Sequence, residues 1–158
     1  MGSGSHPPDP NHTREEEGLK MPNGIELILA DHQRVNELFA RFAETLDGTL
    51  VGQVVDTLHA HDDAEHAALY PLATHVLGDP ALIERFAAAH SAVKKQIDLV
   101  LTLEGSPLVE AVKTLQALVS DHAGDEEANL LPQLTEQATA AQLDGLGARI
   151  LQVKQRVG

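Results

Sequence analysis

The chain has 158 residues, enough for one domain with a real core, and its 24 acidic against 11 basic residues leave a formal charge of −13. That charge repels phosphate backbones and anionic lipid, and four aromatic residues (three Phe, one Tyr) give no stacking platform, so nucleic acid and membrane surfaces are excluded as partners. Cysteine is absent, which rules out thiolate metal sites and catalytic thiols, while nine histidines leave nitrogen-and-oxygen metal chemistry open.

Residues 1–22 are Gly, Ser, Pro and charge without apolar periodicity, and are expected to form a flexible N-terminal arm. No apolar run is long enough to span a membrane and no secretory segment appears near Met1, so the cytoplasm is the default expectation. From Ile25 the pattern changes. Ile25, Ile28, His32, Val35, Phe39, Phe42 and Leu46 step by three and four, predicting a first helix that ends at Asp47-Gly48. A second helix runs from about Thr49 to Leu69 and should stop near Pro71, because proline disfavours helix in the residue before it. Its apolar face (Val51, Val54, Val55, Leu58) continues onto His61 and Glu65, then Leu69 and Leu72.

"GDP" at Gly78 to Pro80 supplies a stop, an N-cap and a first-turn proline. The third helix then carries Ile83, Phe86, His90, Val93, Ile97 and Leu101. "GSP" at Gly105 to Pro107 repeats the punctuation. The fourth helix carries Val112, Leu115, Val119, His122, Glu126 and Leu130 before Pro132. A last helix, from about Ala140 to Val157, has a seam of Leu143, Leu146, Ile150, Leu151 and Val157 with no histidine or carboxylate, and is assigned to packing. The expected fold is all-α: an up-down-up-down four-helix bundle over residues 23–134, with an extra C-terminal packing helix in 135–158.

The stretch "HDDAEHAALYP" (His61 to Pro71) has a partner, "HAGDEEANLLP" (His122 to Pro132), which shares its His, Glu, Ala, Leu and Pro in register. In a helix, positions i and i+4 lie one turn apart on the same side, so each copy projects an imidazole and a carboxylate inward. His32 and His90 add one imidazole from each remaining helix. A single seam histidine is commonly a hydrogen-bonded core residue. Four imidazoles and two carboxylates on the seams of four helices, with no seam arginine to pair them, are a different matter: buried charges are paired or bind metal. Two bridging carboxylates suit two metal ions, and the nitrogen-rich set suits iron. Ferritin-like sites use Glu-x-x-His and mostly carboxylates, whereas here the order is His-x-x-x-Glu and imidazole dominates. His59 lies about 200° from His61 around the helix and should face water. His66 sits beside Glu65 as an outer-layer residue at most; His75 falls in the connection after Pro71, and His6 and His12 in the arm.

The series "ADHQRVNELF", "HDDAEHAALYP", "AAAHSAVKK" and "HAGDEEANLLP" resembles the hemerythrin-like (HHE cation-binding) family over about Ile25 to Pro132. The resemblance implies a non-haem centre of two iron ions with an oxo or hydroxo bridge. Its metal ligands would be His32, His61, Glu65, His90, His122 and Glu126, with Glu65 and Glu126 bridging. Oxygen-carrying members have a further histidine one turn after the third-helix ligand, where this chain has Lys94. Lysine in its protonated form cannot ligate iron. It is either solvated beside the site or turned inward as a proton donor just outside the ligands. The expected function is binding of, or reaction with, dioxygen, hydrogen peroxide or another small diatomic ligand, in oxidant handling or sensing, with catalase- or peroxidase-like turnover as its enzymatic form. The alternatives are oxygen or iron binding and storage without turnover, and a helical interaction module with incidental histidines.

Overall fold

The computed structural model describes residues 22–157. The arm expected at residues 1–22 lies, Pro22 apart, outside the described residues. Helix α1 (Gly24–Thr45) starts on Asn23, whose side chain accepts the Glu26 N–H at 3.0 Å. It ends one residue earlier than expected, on Leu46 in the left-handed region (φ 52), whose N–H reaches Phe42 O at 2.8 Å. Leu46 therefore leaves the seam and is 57% exposed. The reversal is fixed by Asp47, whose Oδ1 accepts from both the N–H and the hydroxyl of Thr49.

The second helix does not stop at Pro71. Segment α2 (Thr49–Ala64) passes into a π-helical turn (Glu65–Leu69) and continues as α3 (Tyr70–Leu77). The Tyr70 N–H bonds Glu65 O, five residues back, and Pro71 then falls in the first turn of α3, where its missing N–H is tolerated. The same device recurs after α4 (Pro80–Val100), where α5 (Gly105–Asp125) enters a π-helical turn (Glu126–Leu130), with Leu131 N–H on Glu126 O, and resumes as α6 (Leu131–Gln137). "GDP" works as read, with Asp79 capping Leu82 N–H at 3.2 Å. "GSP" differs: Gly105 itself opens α5 at φ 63 and no side chain caps it.

Helix α7 (Ala140–Val157) starts with a reciprocal cap, Thr139 N–H to Gln142 Oε1 and Gln142 N–H to Thr139 Oγ1. It lies so close to the start of α1 that a Cβ on Gly24 would come within 2.2 Å of the Leu146 side chain, and one on Gly147 within 2.6 Å of Pro22 O. The result is an all-α four-helix bundle with an added C-terminal helix. Among the described residues, no helix is long and apolar enough to cross a membrane.

The apolar core comes in two clusters. One, toward α7, includes Ile28, Leu69, Phe86, Leu130 and Ile150; the other, toward the α1–α2 turn, includes Val35, Phe39, Leu58, Ile97 and Leu115. Each bundle helix places its histidine between its contributions to the two. The buried polar residues, His32, His61, Asp62, Glu65, His90 and Glu126, form a layer between two greasy plugs.

Candidate metal centre

All six ligand candidates meet in that layer. His61 Nε2 lies 2.6 Å from Glu65 Oε1, and the Nε2 atoms of His90 and His122 lie 3.3 and 3.9 Å from the same oxygen. On the opposite carboxylate, His122 Nε2 is 3.0 Å from Glu126 Oε2, and His32 Nε2 is 3.5 Å from Oε1. His90 and His122 approach each other to 2.7 Å between their Nε2 atoms. Two overlapping donor groups result, Glu65–His90–His122–Glu126 and His32–His61–Glu126. Glu126 belongs to both. Glu65 reaches His61 as well as its own group, so each glutamate faces imidazoles of both.

Both carboxylates open a π-helical turn, and this explains what the sequence reading missed. In a regular helix Leu69 would stand over Glu65; the wide turn places Tyr70 there instead. The seam then runs through Tyr70 and Ala73, both buried, rather than the expected Leu72. The Tyr70 hydroxyl lies 2.7 Å from His90 Nε2 and donates to Glu126 Oε2 at 3.3 Å. The recoverable signal was the proline closing each motif copy, which demands a modified turn wherever the helix continues.

Two carboxylates outside the cluster also escaped the periodicity. Asp31 Oδ2 accepts from His61 Nδ1 at 2.8 Å, while Lys154 donates to its Oδ1 at 2.5 Å. Asp62 Oδ1 accepts from His90 Nδ1, and lies 3.2 Å from His66 Nε2. With Nδ1 engaged, the Nε2 of each ring is turned into the cluster, the arrangement by which outer carboxylates fix ligating histidines.

Lys94 lies on the rim. Its side chain is 57% exposed, with Nζ 3.1 Å from Asp62 Oδ2. His59 is exposed as expected. His66 is half exposed, its ring edge against Tyr70 and His90. His75 is exposed, but within α3 rather than in a connection. His6 and His12 lie outside the described residues.

The electrostatics are those of a set of anions short of positive charge. Burial lowers the pKa of His61, but attraction to Glu65 and the hydrogen bond to Asp31 outweigh it and raise the value to about 10. His122 behaves alike: burial lowers it, contacts with Glu126 and Glu65 prevail, and the value rises to about 9. For Glu65, burial opposes ionisation, yet attraction to His61 and the close approach of the other cluster residues hold it well below the ordinary range. Burial raises Asp62, and the stronger pull of His90 and Lys94 brings it down to about 2. Tyr70 is pushed up, first by burial and then by Glu65 and Glu126, so its hydroxyl keeps its proton.

The donor set fits a metal. Among the described residues, seven buried atoms have no hydrogen-bond partner: both ring nitrogens of His32, His61 Nε2, both oxygens of Glu65, His122 Nδ1 and Glu126 Oε1. Buried polar atoms left unpaired cost about 1–3 kcal/mol each. The five residues that carry these atoms all belong to the two donor groups, within each of which one ligand atom per residue lies within 4.8 Å of the others, so cations would satisfy them. A cavity of about 40 Å³ adjoins the four histidines, walled by Val35, Leu58, Val93, Ile97 and Val119.

Residues 23–134 match the model of the family described as "Hemerythrin HHE cation binding domain". The chain belongs to the hemerythrin HHE family. Its fold is similar to that of a hemerythrin HHE cation-binding domain-containing protein from Mycobacterium kansasii, with a TM-score of 0.77 and 21% identity, covering 87% of this chain and 88% of that one. In sequence it is 24% identical over 138 residues to a protein from Nostoc sp. named DNA nickase. That match takes in 84% of this HHE chain but only 39% of the relative's length.

Proposed function

We propose that this HHE protein holds two iron ions with an oxo or hydroxo bridge between His32, His61, Glu65, His90, His122 and Glu126, and that it binds or reacts with dioxygen or hydrogen peroxide in oxidant handling or sensing. The observation that carries the reading is the set of unpartnered buried donor atoms shared between two overlapping groups. Such a centre, when bound, supplies two-electron redox chemistry toward small oxygen species.

The chain's own residues do the rest. Asp31 and Asp62 orient the His61 and His90 rings. The Tyr70 hydroxyl offers a proton at the Nε2 face of the cluster. The cavity is small, about 40 Å³, and largely apolar-walled, which supports a ligand of diatomic or peroxide size. Lys94 enters the proposal as a proton donor at the mouth, its Nζ held on Asp62 rather than inside the cluster. That exposed placement is also what favours the second reading, oxygen or iron binding without turnover.

One comparison separates the two readings: peroxide consumption by the parent and by Lys94→Met at matched iron content. Catalysis with Lys94 as donor predicts measurable turnover in the parent and a slower rate in the variant. No peroxide consumption by the iron-loaded parent leaves only binding.

A further inference from the structure

Helix α7 lies beyond the residues matched by the family, and its apolar seam gives it no connection to the cluster. A polar one exists. Lys154, near its C-terminal end, donates to Asp31 Oδ1 at 2.5 Å, and Asp31 Oδ2 accepts from His61 Nδ1 at 2.8 Å. This line joins α7, α1 and α2, and it ends on an imidazole whose Nε2 faces Glu65 at 2.6 Å.

We propose that Lys154 is a positioning residue for the metal centre: it pins the Asp31 carboxylate in the orientation that holds His61 with Nε2 turned inward. The proposal rests on the metal-centre reading above. Asp31 is largely buried at the edge of the bundle, and two hydrogen bonds divide its oxygens between His61 and Lys154. Charge-assisted bonds of this kind are roughly twice as strong as neutral ones, so removing the ammonium frees one oxygen to turn toward water and lets the other drift from His61. Leu146 packs closely on Gly24, which seats α7 against α1 two turns before Lys154. Among the described residues the second motif copy lacks such a line, since His122 Nδ1 has no hydrogen-bond partner there. Helix α7 thus belongs to the frame of the centre, and it braces one copy alone.

Zinc is the probe, since it occupies nitrogen-and-oxygen sites without redox change. Its affinity is measured by chelator competition in the full chain, for the parent, Lys154→Met, Lys154→Arg, Asp31→Asn and the double variant Lys154→Met/Asp31→Asn, with thermal unfolding of each metal-free protein alongside. Lys154→Met should weaken zinc binding roughly tenfold, the lower end of what loss of an outer partner costs. Lys154→Arg should recover most of it, and the double variant should bind no more weakly than Asp31→Asn alone. Should Lys154→Met fail to fold, Lys154→Gln carries the same comparison. If Lys154→Met lowers the unfolding temperature but leaves zinc affinity unchanged, or if the two changes add in full, Lys154 is only a structural brace and the proposal is overturned. A parent that takes up neither zinc nor iron overturns the metal-centre reading itself, and this proposal with it.

Discussion

The two copies of the His-x-x-x-Glu motif share ligands, π-helical turn and closing proline, yet their surroundings differ. In the first copy, Asp62, His66 and Tyr70 follow His61 and form a continuous network with His90. In the second, the matching positions hold Ala123, Glu127 and Leu131, and His122 Nδ1 has no hydrogen-bond partner among the described residues. The inward atoms are thus duplicated while the outer layer is built once.

The largest expected effect falls where the copies are equivalent. Glu65→Ala or Glu126→Ala removes a carboxylate that faces imidazoles of both groups, and each should cost at least one of the two proposed irons by metal analysis. His59→Ala, on the exposed face, should leave iron content unchanged. Loss of iron from His59→Ala equal to that from His61→Ala would contradict the assigned register.

Next comes the difference between the copies. Asp62→Ala strips His90 Nδ1 of its acceptor and should weaken metal binding about 10- to 100-fold in chelator competition. Glu127→Ala alters the second copy, but Glu127 is 45% exposed and 3.8 Å from His32 Nδ1, so affinity should change less than threefold, as surface charges do. Equal losses from both would erase the asymmetry.

A third prediction concerns pH. His61 and His122 are raised to about 10 and about 9 in the metal-free protein, so their contribution to stability is complete below about 6.5 and is lost as pH climbs through 9 to 10. Glu65 is shifted down, so its contribution is present above about 4.5 and is lost as acid protonates it. Metal-free protein should therefore unfold at lower urea concentration at pH 10 than at pH 7. Metal replaces those protons on the imidazoles, so the loaded protein should show a smaller alkaline decline. Parallel declines would mean that the histidines do not meet the metal.

The smallest effect lies outside both copies, in how helices end. The C-cap of α3 is Gly78 at φ 63, suited to the left-handed region, while α1 ends on Leu46 at φ 52, an exposed side chain in a conformation that favours glycine. Leu46→Gly should stabilise the bundle by about 0.5–1 kcal/mol in urea titration, with iron content unaltered.

Periodicity made the helices, the seam histidines and the glutamates legible, because each candidate ligand takes the place of an apolar residue at the same spacing. It failed where the helix is not regular. Pro71 and Pro132 read as stops because a straight α-helix cannot accommodate them, and the π-helical turns that do so also rotate Tyr70 into the cluster. Asp31, Asp62 and Lys154 were invisible for another reason. They lie off the seams and gain meaning only from a neighbouring helix, as Lys154 does across 123 positions of sequence. The spacing of Lys94 to His90 places it beside the site, but its direction depends on Asp62, which captures its Nζ at the rim.

The central claim is that the two copies hold a pair of ions in common. Its most direct test is iron per folded chain, for protein produced in iron-rich medium and compared with Glu126→Ala at equal concentration. Two irons in the parent, and one or none in the variant, is the predicted result. A parent that is fully helical, stable and free of iron would contradict it.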